Sequence, residues 1–207
     1  MIDAVLASLC RLVAGSTVEW LCDPYSSAQR IYFANHSSHL DFIVIWSSLP
    51  SSRRRHARPV AGRDYWEQGR VRRYLASEVF RAVLVERRSA GARNAVEHAR
   101  AAVEQMAYEM GNHDSLIVFP EGTRSASGEV GPFKSGLYHL SRVRPDAQLV
   151  PVHLENLNRI LPKGEALPVP MMGRVTFGPV LPVWSGEQKA AFLERARTAL
   201  LQLEART

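Results

Sequence analysis

Short apolar runs that alternate with helical patterns constrain the fold of this chain more than any other feature. Strands are predicted at residues 31–34, 59–61, 82–85, 116–119, 149–154 and 174–177. Helices are predicted at residues 40–49, 92–110, 136–143 and 187–203, and a basic helix at Arg70, Arg72 and Arg73. Apolar runs without polar alternation are typical of strands buried on both faces, as in parallel sheets. We therefore expect an α/β fold, a single layered domain over residues 1–207 with a mostly parallel central sheet flanked by helices.

Two polar motifs follow two of these predicted strands directly. The first runs from Asn35 to Asp41 after the strand at residues 31–34, and the second from Phe119 to Ser125 at the end of the strand at 116–119. Loops at the carboxyl ends of parallel strands collect at one edge of such a sheet. The two motifs are therefore predicted to form one site, although about eighty residues separate them.

The first motif offers a histidine and a carboxylate five positions later, His36 and Asp41. An imidazole is well suited to accept a proton near neutral pH, because its ordinary pKa is about 6.5. If a helix begins at Asp41, the loop folds back and the carboxylate can orient the ring, so the pair is predicted to act as a general base and its partner. The alternative is a chance spacing, in which Asn35 and Ser37 are ordinary turn residues. His39 is predicted to be structural.

The second motif has the composition of a phosphate grip. The predicted substrate-binding residues are Arg87, Glu121, Gly122, Thr123, Arg124 and Lys134. Gly122 lets backbone amides approach an anion, and Arg124 can hold a phosphate in bidentate fashion. Arg87 ends its own predicted strand and either converges on the same place or forms a surface salt bridge.

The balance of charge predicts a surface that attracts polyanions. There are 26 Lys and Arg against 20 Asp and Glu, a formal net charge of +6. Nucleic acid, an anionic bilayer and an acidic carrier protein all satisfy that charge. Nucleic acid is excluded because the aromatic residues are not interleaved with the cations. The cluster at residues 53–55 is the predicted contact with a carrier or lipid headgroups, the alternative being a solvated loop with no partner.

The N-terminal residues favour contact with a membrane surface over a span. Apolar residues recur at helical spacing over residues 2–14, which predicts either a core helix or an interfacial one, here assigned to residues 1–20. No run approaches the ~20 apolar residues that a span requires, and the signal-peptide pattern is absent. Cys10 and Cys22 have neither disulfide nor zinc spacing. We expect a cytoplasmic chain, peripheral on the inner face of the membrane.

Four blocks of residues occur in the order of a known family. They are residues 35–41, 85–87, 119–125 and 150–152. In this order the chain resembles the 1-acylglycerol-3-phosphate acyltransferase (PlsC-like) family over roughly residues 30 to 155. Two features depart from its usual pattern: only about thirty residues precede the first block, and Glu86 stands where aspartate is more usual, so that Arg87 rather than Arg88 is a choice of register.

The resemblance implies a glycerolipid acyltransferase-like fold and an activity. A fatty acyl group would move from acyl-CoA or acyl-carrier protein to the free hydroxyl of a lysophospholipid, most simply 1-acylglycerol-3-phosphate, giving phosphatidic acid. It implies His36 as base and Asp41 as its partner, with Arg87, Glu121, Gly122 and Arg124 around the glycerol phosphate. It also implies no cofactor, no metal and no covalent acyl-enzyme. The alternatives are an acyl-thioester or lipid hydrolase, and an acyltransferase for another lysolipid such as lyso-ornithine lipid.

Overall fold

The computed structural model describes residues 17–38, 41–86, 95–125, 128–155 and 173–205. The strands are β1 (Thr17–Trp20), β2 (Arg30–Ala34), β3 (Ala57–Gly62), β4 (Val83–Val85), β5 (Ser115–Val118), β6 (Gln148–Glu155) and β7 (Arg174–Phe177). The helices are α1 (Asp41–Ser48), α2 (Ser51–Arg54), α3 (Arg63–Trp66), α4 (Arg70–Tyr74), α5 (Ala95–Met110), α6 (Gly136–Val143) and α7 (Lys189–Glu204). A π-helical turn, Leu75–Val79, continues α4.

These strands form one sheet in the order β1-β7-β6-β2-β5-β3-β4. The five strands from β6 to β4 are parallel to one another. At the other end β7 pairs antiparallel with β6, and β1 runs parallel to β7. The prediction of a mostly parallel central sheet flanked by helices is confirmed. The antiparallel pairing of β7 with β6 at one edge was not predicted.

The central strand β2 shows how the sheet is buried on both faces. Ile31 and Phe33 pack into a cluster formed with α5, α6 and α7. Tyr32 and Ala34 point the other way, into a cluster formed with α1. All five residues of the strand are buried. Since neighbouring side chains alternate between faces, a strand covered by helices on both sides reads as a continuous apolar run.

The helix α1 packs against one face of the sheet and thereby fixes the position of the loop at residues 35–38 that precedes it. All its residues except Ile43 are buried. The ring of Phe42 meets the rings of Trp66 and Phe80 edge to face, at centroid distances of 5.4 and 5.0 Å. Such pairs add about 0.5–1.5 kcal/mol each beyond their area of burial. The first residue of α1, Asp41, is thereby held in a fixed place at the end of the sheet.

Three expectations about helices need correction. Residues 17–20 are a strand, so the interfacial helix predicted for residues 1–20 is wrong at its C-terminal end; residues 2–14 lie outside the described residues. In α5, helical spacing places Val96, Val103 and Met110 on one face, which predicts that all three are buried; Val103 and Met110 are, but Val96 is 82 % exposed. The helices α2 and α3 were not predicted, because stretches of four residues are too short to show a helical period.

None of the described helices is both long enough and apolar enough to cross a membrane.

Candidate functional site

The two predicted motifs meet at the carboxyl ends of β2 and β5. Because Phe33 pairs with Val118 in parallel register, the loops that follow these strands leave the sheet side by side. The backbone N–H of Ser125 donates to the carbonyl of His36 at 2.7 Å. The prediction that the two motifs share one place is thus supported by direct contact between them.

His36 and Asp41 form the pair that their spacing predicts. The Nδ1 atom of His36 lies 2.8 Å from Oδ2 of Asp41, whose side chain is 0 % exposed. The same oxygen accepts the backbone N–H groups of Ser37 and Ser38 at 2.7 and 2.8 Å. A carboxylate can only accept, so Nδ1 carries the ring hydrogen and Nε2 keeps its lone pair. The His36 side chain is 17 % exposed, so part of the imidazole is open to solvent.

The imidazole is also held from one side by an aromatic ring. Phe119, the first residue of the second motif, stacks on it with ring centroids 4.2 Å apart and planes 21° from parallel. A hydrogen bond along one edge and a ring against one face together leave little freedom for rotation about the side-chain bonds. The sequence did not predict this contact, since Phe119 reads as the last apolar residue of a strand.

Asn35 joins the end of β2 to its neighbour β6. Its side-chain amide donates to the carbonyl of Leu154 and accepts the N–H of the same residue, both at 2.8 Å. The side chain is buried, and the two bonds reproduce a backbone pairing just where β2 stops. The sequence suggested that Asn35 is either a motif residue or a turn residue. Its bond to Leu154 could not be predicted from neighbouring residues, because the partner lies 119 positions away.

Glu121 uses both carboxylate oxygens within the protein. Oε1 accepts the backbone N–H of His36 at 2.8 Å, and Oε2 accepts that of Gly131 at 3.0 Å. The residue is only 7 % exposed. These contacts favour a positioning role, in which Glu121 fixes the backbone of His36, over the predicted direct contact with substrate, which stays a prediction.

Gly122 and Lys134 are in close approach. The glycine has a φ of +71°, and a Cβ built on it would lie 2.6 Å from Nζ of Lys134. The backbone also joins the two segments, because Lys134 N–H donates to the carbonyl of Pro120 at 2.8 Å. The left-handed backbone is what favours glycine here, since the end of the exposed Lys134 side chain could move aside for a Cβ.

The remaining predicted ligands lie on the outer side of this loop. Thr123 and Lys134 are exposed and Arg124 is half-buried. With the described residues, the side chains of these three form neither a hydrogen bond nor an ion pair. Arg87 and Arg88 lie outside the described residues, as does His39. Two cations without a partner among the described residues, beside a histidine whose Nε2 can accept a proton, are suited to an anionic ligand that carries a hydroxyl group.

The match to a family model now agrees with the site. The model described as acyltransferase covers residues 23–155, which is more than half of the chain. The chain therefore belongs to the acyltransferase family, and the resemblance found in the sequence is confirmed. The matched residues include the His36–Asp41 pair and the whole loop from Glu121 to Lys134.

Similar curated proteins carry one recurring name. The 1-acyl-sn-glycerol-3-phosphate acyltransferase alpha of Ovis aries is 29% identical over 127 residues, covering 61% of this chain and 40% of its own length. The 1-acyl-sn-glycerol-3-phosphate acyltransferase of Cocos nucifera is 31% identical over 123 residues, covering 56% of this chain and 34% of its own. The chain thus matches well under half the length of these two relatives.

A solved structure shares the fold over nearly the whole chain. The crystal structure of the 1-acyl-sn-glycerophosphate (LPA) acyltransferase PlsC from Thermotoga maritima aligns with a TM-score of 0.72 and covers 99% of this chain and 78% of that one. At 18% sequence identity this likeness shows the architecture of the sheet and helices.

Proposed function

We propose that this chain moves a fatty acyl group from acyl-CoA or acyl-carrier protein to the free hydroxyl of 1-acylglycerol-3-phosphate, giving phosphatidic acid. The observation that carries the proposal is the buried Asp41 carboxylate 2.8 Å from Nδ1 of His36, which leaves Nε2 as the acceptor of a proton. The names of the similar proteins support the choice of a lysophosphatidic acid acceptor.

The proposed reaction uses Nε2 of His36, the ring nitrogen that is not bonded to Asp41. Nε2 of His36 accepts the proton of the acceptor's hydroxyl as its oxygen attacks the thioester carbonyl carbon. Asp41 stabilises the imidazolium that forms, as the carboxylate of a catalytic triad does. When the carbon–sulfur bond breaks, the thiolate leaves and takes up a proton from the imidazolium. His36 is then neutral again, and the ester has formed without an acyl-enzyme.

The acceptor's phosphate group is assigned to the half-buried Arg124 of the second motif and to the exposed Lys134. Arg124 and Lys134 supply charge-assisted hydrogen bonds, and Arg87 remains a predicted third cation. Gly122 and Thr123 would line the approach to the phosphate. Glu121 supports this grip indirectly, because its bonds hold the loop between Glu121 and Gly131 against the backbone of His36.

The proposed place of action is the inner face of a membrane, to which the chain binds peripherally. Both predicted substrates carry long acyl chains, and an excess of positive charge favours an anionic surface. No cofactor or metal enters the proposed reaction, and the absence of both stays a prediction.

Thiol release from palmitoyl-CoA, measured with and without lysophosphatidic acid in mixed micelles, tests the proposal. Release that requires the lysolipid, with phosphatidic acid as product, supports it. Release at the same rate without an acceptor contradicts it and indicates a hydrolase in which His36 activates water. Release that requires lyso-ornithine lipid and not lysophosphatidic acid contradicts the choice of acceptor while leaving acyl transfer in place.

A further inference from the structure

The arginine cluster at residues 53–55 is largely occupied inside the protein. Arg53 donates to the carbonyl of Ala28 at 2.7 Å, and Arg54 donates to that of Leu49 at 3.3 Å. Arg54 is 6 % exposed. The cluster also precedes β3, at the end of the sheet opposite to His36. A membrane contact made there would point the site away from the lipid.

A second arginine cluster lies on the side of the site. The helix α3 begins directly after β3, whose carboxyl end lies at the same edge as those of β2 and β5. Gly69, with a φ of +87°, then turns the chain into α4. Every residue from 67 to 74 is exposed, including Val71 at 73% and Tyr74 at 50%. The segment therefore presents apolar side chains to solvent beside arginines.

The helix α4 has an inner and an outer side. Arg72 is exposed but lies against α3, with its guanidinium 4.3 Å from the centre of the Tyr65 ring, and this marks the inner side. At about 100° per residue, the other four side chains follow one another around the outer side. In that order they are Arg73, Arg70, Tyr74 and Val71. We call these four residues the α4 outer face: two cations on one side and two apolar side chains on the other.

The charge of this helix is not neutralised nearby. Within the described part of the chain, Arg70, Arg72 and Arg73 form no ion pair. The adjacent carboxylate of Glu67 is paired with Arg63 at 2.8 Å. Arg73 donates one hydrogen bond, to the carbonyl of Glu67 at 3.2 Å, but it stays exposed, unlike the buried Arg54. Three positive charges without an ion pair in a helix of five residues, beside exposed valine and tyrosine, are typical of a segment that lies in the headgroup layer of an anionic bilayer.

Packing connects this helix to the catalytic pair. Tyr65, under Arg72, meets the ring of Trp66 at 5.6 Å. Trp66 in turn meets Phe42 at 5.4 Å, and Phe42 directly follows Asp41. A surface that rests on α4 would therefore be held at a fixed position relative to His36.

We propose that the α4 outer face docks the protein on a bilayer containing anionic phospholipid, with the edge of the sheet that bears His36 turned toward the lipid. The reason for docking at this edge rests on the proposed function, because a lipid acceptor must reach His36 from the membrane. Docking itself is independent of turnover. An acidic protein would also meet the two arginines, but it does not require the exposed Val71 and Tyr74 beside them.

The charge contribution is tested by flotation of the whole chain, without substrates, on vesicles of equal parts phosphatidylglycerol and phosphatidylcholine. Arg70→Gln with Arg73→Gln is expected to lower the partition coefficient by about fivefold for each arginine removed. The control, Arg55→Gln with Lys189→Gln, removes two exposed charges at the opposite end of the sheet and should leave partitioning within about twofold of wild type. Equal losses in the two pairs would overturn the proposal.

The apolar contribution is tested with a matched pair of residue types. Val71→Ser with Tyr74→Ser should lower partitioning about fivefold even at high salt. The control is Val143→Ser with Tyr108→Ser, at positions that are 51% and 86% exposed at the far ends of α6 and α5. If only the controls reduce flotation, or if the α4 variants lose binding to acyl-carrier protein while floating normally, the bilayer is the wrong partner.

Activity separates this inference from the proposed function. The α4 variants should keep the wild-type rate on a short-chain lysophosphatidic acid that stays monomeric, and lose rate on acceptor embedded in anionic vesicles. A chain that floats through the α4 outer face but transfers no acyl group would leave the docking surface standing and overturn the function. If the α4 variants transfer acyl groups and still float like the wild type, the proposed function stands and the docking surface is overturned.

Discussion

The two halves of the candidate site differ in how completely the protein satisfies them. In the dyad half (His36, Asp41 and Glu121), every named side chain is held by another part of the chain, and two of the three are buried. In the cation half (Arg124 and Lys134), neither side chain bonds to a described residue. One half is organised by the fold alone, and the other is left for a ligand to complete.

This contrast teaches which step each half controls. Groups held in place before the reaction need no rearrangement when charge moves, so they act mainly on turnover. Cations that pair only with the bound ligand mainly strengthen binding, so their loss raises the acceptor concentration at half-saturation. Substitutions in the two halves should therefore change different kinetic parameters.

The largest expected effect is the loss of the base. His36→Ala should lower turnover by about 10³-fold, because it removes the group proposed to accept the hydroxyl's proton. The half-saturation concentration should change little. His113→Ala, which removes an exposed histidine at the opposite end of the sheet, is the control and should be silent. Wild-type turnover by His36→Ala would disprove the mechanism.

Removal of the orienting carboxylate should rank second. Asp41→Asn keeps the size of the side chain but no longer restricts the ring to one tautomer, so turnover should fall about 10²-fold. The substitution also disturbs the bonds from Ser37 and Ser38, so unfolding in urea should show a loss of about 1–3 kcal/mol. Full activity with that loss of stability would make Asp41 a purely structural residue.

Glu121 distinguishes a positioning residue from a substrate contact. Glu121→Ala leaves the backbone N–H groups of His36 and Gly131 without an acceptor, which should cost about 2 kcal/mol of folding free energy. Turnover should fall about tenfold through the displaced histidine, at unchanged half-saturation. A rise in half-saturation with stability unchanged would instead support the direct contact that the sequence predicted.

The cation half should show the opposite kinetic change. Lys134→Ala and Arg124→Ala should each raise the half-saturation concentration of lysophosphatidic acid about tenfold, as expected for one lost charged hydrogen bond. Turnover at saturation should be nearly unchanged. Neither variant should affect the use of monoacylglycerol, which has no phosphate; an equal loss on both acceptors would show that these residues do not bind phosphate.

The smallest predicted effect concerns stability away from the site. Burial lowers the pKa of His153 below its usual 6.5, against the opposing influence of Glu204 and Glu155. The neutral ring is therefore favoured in the folded state, and stability should fall as the pH drops below 6.5 toward the lowered value, by up to about 1.4 kcal/mol per pH unit. His153→Gln should reduce this slope in urea unfolding, and an identical slope would refute the assignment.

The parts of the fold predicted from sequence are those encoded by neighbouring residues. The helix at Gly136–Val143 and the strand at Arg174–Phe177 were predicted with their observed limits. The edge strand at Thr17–Trp20 was missed because it is largely exposed and carries polar side chains. In the β3–β4 connection, the helix α4 was predicted at Arg70, Arg72 and Arg73 and is observed there. The helix α3 was missed, because it is only four residues long and Trp66 at its end is placed by packing against Phe42 and Phe80.

The site divides in the same way. His36 and Asp41 are five residues apart, so their pairing was predictable from a single loop. The bond from Glu121 to the backbone of His36 spans 85 positions, and that from Asn35 to Leu154 spans 119. Their residue types were visible in the motifs, but their partners depend on which strands become neighbours in the sheet.

The most direct test of the account is a set of saturation curves for lysophosphatidic acid with the wild type, His36→Ala and Lys134→Ala. The account predicts that His36→Ala lowers the plateau at nearly constant half-saturation, whereas Lys134→Ala shifts half-saturation at a nearly constant plateau. If both variants change the same parameter, or if His36→Ala keeps the wild-type plateau, the division of the site into a base held by the fold and a grip completed by the ligand is wrong.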